Sequence, residues 1–405
     1  MTHARRFDEP TPPPDPRSRG TRLRASASGL IIPAAIIAAI SAFETARTSD
    51  SAQREVFFNI KTPWLMYLVF AVSMAVIVGA FVQRLRIWRL GQKPWKVTDN
   101  IGARITNALT MGALTSRVKN DRFAGVMHWC IYSSFIVLTI VTLLLAIDDY
   151  APIILGHPED HHWFLVGPVY LVYSLVGDLF GVIGLVGVGM GVYRRYVSPP
   201  SKLTWDKRGN EDAIVVGLLG VVLFTGLVVE GLRLAGDEIP AGNEDWSYWS
   251  PAGWVIAKLA GGVSADTALD IHVGFWWFHV VAAFGLLSLM AITKFRHIVF
   301  APANAFFKKP GAGPAYLAPM GDFEKIMEEG GSLGASKLQD FSWKQMFDAD
   351  TCVRCGRCTE ACPAWQAGQP LSPMMIMQDL KTYMNHAGPL AIAGKDPATV
   401  LQGEL

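Results

Sequence analysis

The chain has 405 residues, 51% of them hydrophobic and 17% charged, with a formal net charge of +2. A mean hydropathy of +0.28 is more than soluble domains carry, and the excess lies in long uncharged runs, which excludes a purely soluble fold. Four of the five cysteines sit in one short run, so there is no disulfide framework; no nucleic-acid partner is expected.

Residues 1–24 are rich in Pro, Arg, Asp and Thr without apolar period and read as a disordered cytoplasmic tail. Residues 25–43 carry no charge but include Pro33. They read either as the apolar part of a signal peptide or as an extra short span, and the second agrees with the orientation of everything downstream. Five stronger runs follow: Trp64–Val82, Phe123–Ile147, Phe164–Val192, Ala213–Val229 and Ile271–Thr293. Each approaches or exceeds the roughly 20 apolar residues that a helix needs to cross a bilayer, and backbone groups in lipid must be satisfied within the segment. The connection after Val82 is rich in Arg and Lys, whereas Asp148 to Trp163 has none and carries four acids. Arg194, Arg195, Lys202, Lys207 and Arg208 follow the third span, Gly236 to Asp270 holds only Lys258, and Lys294, Arg296, Lys308 and Lys309 follow the fifth. This alternation sets the carboxyl end in the cytoplasm.

Residues 310–340 are glycine-rich and read as a linker, and residues 341–405 have helical patterning on both sides of a cysteine loop. The expected fold is therefore all-α: a polytopic bundle of five or six spans, followed by a partial helical ferredoxin-like domain. Cys352-x-x-Cys355-x-x-Cys358-x-x-x-Cys362-Pro363 has the spacing in which three thiolates hold one 4Fe-4S cluster. The fourth, before proline, ligates the other cluster of a two-cluster protein, so 341–405 reads as the first half of a dicluster domain whose remaining ligands lie on a second chain or a continuation. A structural zinc site is the rival, although zinc sites pair two separated C-x-x-C halves.

Ionisable residues at membrane depth mark function. His128 lies early in the second strong span, His279 in the outer half of the fifth and His297 at its inner end. Eighteen residues make five helical turns, so on one helix His279 and His297 face the same way, roughly 27 Å apart. Imidazoles at two depths suit haem b, with His297 and His128 as the inner pair. Glu230 and Asp178 are candidates for a quinone or proton site, and an i, i+3 ion pair between Glu230 and Arg233 is the structural alternative. Gly187, Gly189 and Gly191 lie inside a span with no strand before them and are no dinucleotide loop.

The five spans resemble the dihaem cytochrome b of respiratory nitrate reductase, its gamma subunit, over residues 63–309. In that family two histidines ten apart on the second helix pair with two eighteen apart on the fifth. His128, His279 and His297 match, whereas Leu138 stands at the fourth position, with His161 or His162 as substitutes for the outer haem. Further motifs are Arg54-Glu-Val-Phe-Phe-Asn-Ile60, Trp276-Trp277-Phe-His279, Lys294-Phe-Arg-His297, Asn304-Ala-Phe-Phe307, Phe341-Ser-Trp-Lys344 and Leu371-Ser-Pro373. With the cysteine run they resemble bacterial membrane-bound heterodisulfide-reductase-like iron–sulfur oxidoreductases, including those that act as electron-transfer-flavoprotein:menaquinone oxidoreductase. The resemblance implies the amino-terminal part of such a protein in the bacterial cytoplasmic membrane. It implies electron transfer from electron-transfer flavoprotein through 4Fe-4S clusters and haem b to menaquinone. A cytochrome b anchor of a thiol–disulfide complex, or a scaffold with a zinc site, are the alternatives.

Overall fold

The computed structural model describes residues 52–114, 118–156, 164–200, 211–310, 322–328 and 334–397. The expected tail, the 25–43 segment, His161 and His162 lie outside the described residues. Helices α1 (Trp64–Trp88), α2 (Arg122–Ile154), α3 (Gly167–Val192) and α4 (Glu211–Arg233) are followed by a short α5 (Pro251–Leu259) and by α6 (Ala265–Ile292). Then come α7 (His297–Phe307), α8 (Trp343–Thr351) and α9 (Pro373–Ile392). Five of these are long and apolar enough to cross a membrane: α1 to α4 and α6, with α3 and α4 prolonged by wider turns to Val197 and Glu238. No strand forms among the described residues, only one bridge between Lys93 and Ser342.

Two of the spans begin ahead of their apolar runs, where side-chain caps set the limit. Asp121 accepts the backbone N–H of Ala124 (3.1 Å) at the start of α2, and Ser264 that of Thr267 (3.3 Å) at the start of α6. The spans pack in the order α2, α3, α4, α6, α1. Lipid gives apolar helices no hydrophobic reason to associate, so close contact between small residues does the work. A Cβ on Gly187 would stand 2.8 Å from Cys130 Cβ and 2.9 Å from Ile131 Cγ1. The glycines of α3 are thus the notch into which α2 fits, and Cys130 is a packing residue.

At the basic end of the bundle, the carboxyl-terminal helices are docked, not tethered. Ile87 and Trp88 of α1, Phe300 of α7, Leu338, Met346 and Phe347 of α8 and Met384 of α9 form one buried core. Trp88 Nε1 donates to Asp350 Oδ2 at 2.8 Å. Gln92 N and Lys93 N donate to the carbonyls of Gln339 (3.1 Å) and Phe341 (3.3 Å). The stretch expected as linker therefore finishes inside the core, where Leu338 is 2% exposed. Arg104, wholly buried, donates to the carbonyls of Phe306 (3.1 Å) and Lys308 (2.9 Å) at the end of α7, where a cation meets the carbonyls a helix leaves unsatisfied.

The far end is closed by polar networks. Asp148 accepts from the N–H groups of Phe164 (2.7 Å) and Leu165 (2.9 Å). Arg54 lies on the segment preceding α1 and reaches Glu230 of α4 (3.3 Å), so this segment lies across the mouth of the bundle.

The notch at Gly187 gives a direct test. Gly187→Leu forces α2 from α3 and should cost about 1–3 kcal/mol, as overpacking does. Thermal unfolding in detergent should show a lower midpoint, while Gly189→Ala, with open space around it, should not.

Candidate functional site

The cysteines lie on the turns between α8 and α9. Ser342 and Gln345 cap α8 reciprocally, and the helix ends at Thr351 so that Cys352 starts an extended turn. Arg354 (φ 59°) and Gly356 (φ 73°) take left-handed backbone conformations and curl the chain back on itself. A single helical turn carries Cys358, and Cys362 precedes another that starts with Pro363. Thr359 Oγ1 bonds Ser372 Oγ (3.0 Å) and accepts from Met374 N (3.3 Å), which fixes the loop to the start of α9.

Burial, and then the neighbouring thiols Cys352 and Cys355, push the Cys358 thiol up. Three thiolates thus repel one another unless cationic iron stands among them. Among the described residues no three Cys, His, Asp or Glu side chains converge as closely as one metal ion needs. The spacing of the four cysteines suits a cubane, which offers a separate iron to each thiolate, better than a tetrahedral zinc. Basic groups surround the loop and suit an anionic cluster. Arg357 Nε lies 3.4 Å from Cys355 Sγ, and burial followed by the charge of Arg296 brings the Lys381 ammonium down to about 8.

The loop is pinned to the membrane bundle. Arg354 donates to Glu211 Oε2 (2.8 Å), and the other oxygen of Glu211 accepts from the backbone N–H of Lys294 (2.6 Å). The carbonyl of Lys294 in turn accepts from His297 Nδ1 (2.8 Å). A carbonyl can only accept, so Nδ1 carries the proton and Nε2 keeps its lone pair, the state in which an imidazole binds metal. His297 does not continue α6, however. The helix stops at Ile292, Thr293 is extended, Lys294–Arg296 is a 3-10 turn and His297 opens α7. The expectation that His279 and His297 share one helical face fails at this break, and the separation computed from one continuous helix goes with it.

His128 of α2 has a buried Nδ1 without a hydrogen-bond partner. Two imidazoles from different elements, each with a nitrogen to spare, fit the axial ligand set of a haem b. His279 is also oriented. Thr225 Oγ1 donates to Val221 O (2.7 Å) and so accepts from His279 Nδ1 (3.0 Å). Leu138, where the dihaem pattern has its fourth ligand, packs against the apolar cluster that includes Leu219, Leu223 and Leu286. The described residues therefore supply His128 and His297 toward the basic end and an oriented His279 farther in, while His272 of α6 is buried with neither ring nitrogen bonded.

The two carboxylates expected to serve quinone or proton chemistry have structural partners. Asp178 accepts from the N–H groups of Ala252 (2.7 Å) and Gly253 (3.0 Å) at the start of α5. Glu230 pairs with Arg233 (2.9 Å) and Arg54 (3.3 Å). Sequence reasoning missed Arg296, 5% exposed, and Thr225. Their only signal was position, beside one histidine and one turn from no obvious partner.

A helical membrane bundle with a docked 4Fe-4S loop and imidazoles at its edge defines a membrane-embedded iron–sulfur redox protein. Residues 343–364 match the family described as 4Fe-4S binding domain, which spans α8 and all four cysteines. The chain is similar to "EtfAB:quinone oxidoreductase" of Syntrophomonas wolfei subsp. wolfei, 30% identical over 85% of this chain and 47% of that protein. It is similar to "Probable iron-sulfur-binding oxidoreductase FadF" of Bacillus subtilis, 28% identical over 84% of this chain and 45% of that protein. It is also similar to "Probable membrane-anchored ferredoxin" of Chromohalobacter salexigens, 26% identical over 79% of this chain and 41% of that protein. The chain spans less than half the length of each of these relatives. No solved structure matches it. These likenesses fit an iron–sulfur, quinone-oxidoreductase-like membrane protein.

Cysteine ligation is directly checkable. Cys355→Ser should abolish the broad brown absorbance and lower the iron content of the purified protein, and a protein in which zinc replaces iron at full occupancy would contradict the cluster.

Proposed function

We propose that the chain is the electron-transfer part of a larger membrane oxidoreductase that oxidises electron-transfer flavoprotein and reduces menaquinone. The cysteine-bearing end faces the cytoplasm of a bacterium, as the basic connections favour. Cys352, Cys355 and Cys358 hold one 4Fe-4S cluster and Cys362 ligates a second, completed elsewhere. His128 and His297 hold a haem b, and His279, with His161 or His162, remains the candidate for an outer one. Iron–sulfur clusters and haem supply one-electron relay chemistry, which couples a flavin donor to a quinone that takes two electrons.

The observation that carries this reading is the unbroken hydrogen-bonded line from Arg354 in the cysteine loop, through Glu211 and Lys294, to the ring of His297. It holds the two ligand sets in fixed relation, as a relay requires. A cavity of about 380 Å³ in the docked seam, lined by Phe81, Trp88, Phe300, Phe307, Trp343 and Phe347, supports quinone access at this end. Its volume and aromatic lining suit a flat apolar ring, and its walls belong to α1, α7 and α8.

For Glu230 and Asp178 the partners favour a supporting role, in which they hold α4 and α5 to the far end of the bundle. Glu230→Gln should therefore lower the unfolding temperature and leave quinone reduction per haem within about twofold of the parent, an effect below one kcal/mol in the barrier. Loss of turnover with an unchanged fold would restore it to the mechanism.

The test of the whole reading uses the complete protein in membranes. Reduced electron-transfer flavoprotein should bleach the oxidised haem and cluster spectrum and drive reduction of a menaquinone analogue, and His297→Ala should remove the haem signal and the turnover together. A spectrum that responds to dithionite but not to the flavoprotein would exclude this donor.

A further inference from the structure

We propose that Arg89 is the polar end of a quinone site in the docked seam, and that this site is complete only while α8 is docked on the bundle. The inference rests on the quinone reading above and deepens it.

The cavity in the seam has a closed floor and an open side. Trp88, Phe300 and Phe347 form the floor and are buried, at 7%, 3% and 3% exposure. Phe81 and Leu85 of α1 and Val299 of α7 also line the cavity, and all three are exposed. α1 is long and apolar enough to cross the membrane, so this side opens to lipid, from which an apolar quinone arrives. Trp88 meets Phe300 and Phe347 edge to face, with ring centroids 5.3 and 4.8 Å apart. Aromatic walls favour a flat conjugated ring over an acyl chain, which has no quadrupole to offer them.

Arg89 is the one charged residue that lines this cavity. The lining has no polar surface, so Arg89 contributes its methylene stem and its guanidinium stands at the rim. No hydrogen bond or ion pair engages that guanidinium among the described residues. The neighbouring donors are committed: Arg84 to Asn385 at 2.6 Å, and the Trp88 N–H to Asp350 at 2.8 Å. An apolar slot with one free guanidinium at its mouth matches a quinone, an apolar ring whose oxygens gain negative charge as electrons arrive. The ring takes two electrons from the relay and two protons from water at the rim, one proton on each oxygen.

Both halves of the molecule build the walls. α8 supplies Trp343 and Phe347, and Trp343 packs on Phe307 of α7 with ring centroids 5.0 Å apart. Withdrawal of α8 would remove one side of the site. Phe347 and Cys352 are five residues apart, roughly 7.5 Å along a helix axis, so a quinone held here lies beside the cluster end of the relay.

The experiment uses the full-length protein in membranes, with a menaquinone analogue as acceptor and its azido derivative as photolabel. Arg89→Gln should raise KM for the analogue roughly fivefold, as loss of a charge-assisted hydrogen bond does, with kcat and the paramagnetic signal of the cluster nearly unchanged. Arg89→Lys should recover part of the affinity. Val299→Trp fills the mouth from an exposed position and should lower quinone reduction and photolabelling together. In the parent, the label should fall on α8 as well as on α1 or α7. Unchanged kinetics and labelling in both Arg89→Gln and Val299→Trp would overturn the proposal while leaving quinone reduction itself intact. Label confined to the bundle would also overturn it, and so would an anionic phospholipid that copurifies with the parent and is lost from both variants while the label stays. A parent that reduces no quinone would bring down the reading on which the site rests, a result distinct from these.

Discussion

Glu211 is the point on which the two halves of the molecule turn. One oxygen of its carboxylate takes the guanidinium of Arg354 from the cysteine loop, and the other takes the backbone N–H of Lys294 between α6 and α7. Three elements distant in sequence therefore meet at one anion in the first turn of α4, where a negative charge is also favoured by the helix dipole. Asp350 of α8 does the same, binding Trp88 of α1 and lying between Arg84 and Arg296. Relays need rigid separations more than they need affinity, and two charged pins plus one apolar core supply that rigidity.

At the far end the constraint is different. A connection between spans cannot leave N–H groups unsatisfied near lipid. Asp148 and Asp178 each accept two consecutive backbone N–H groups, one pair entering α3 and the other entering α5. Arg233, 2% exposed, is compensated by Glu230 and Glu238 at 2.9 and 2.8 Å. Acids in or beside a span invite a catalytic reading, and here each also has partners that close the bundle.

The spans and the cysteine loop were legible in the sequence because each follows a local rule, length of apolar run in one case and thiol spacing in the other. The docked seam was not. Trp88 and Asp350 are 262 residues apart, and nothing in either neighbourhood announces the pair. A glycine-rich stretch before Leu338 suggested a tether, although Leu338 itself goes into the core. Arg104 looked like one more basic residue of a positive loop, and its burial depends on carbonyls some 200 positions away. Histidine positions could be read, but the state of their rings could not, since that depends on Thr225 and on the carbonyl of Lys294.

The break at Thr293 shows why helical arithmetic alone could not build the site. Had α6 run on to His297, the carbonyl of Lys294 would lie inside a regular helix, where the next turn's N–H claims it and side chains point away from the backbone. The 3-10 turn tightens the chain so that the backbone N–H of His297 and its ring Nδ1 both reach that carbonyl, filling its two lone pairs. The turn itself is held from outside, by Glu211 on the Lys294 N–H and by the Thr293 hydroxyl on the Phe295 N–H (3.3 Å). The orientation of a metal-ready imidazole is thus set by a carboxylate on another helix. Because that carboxylate also holds Arg354, the geometry of the histidine and that of the cysteine loop are fixed by a single group.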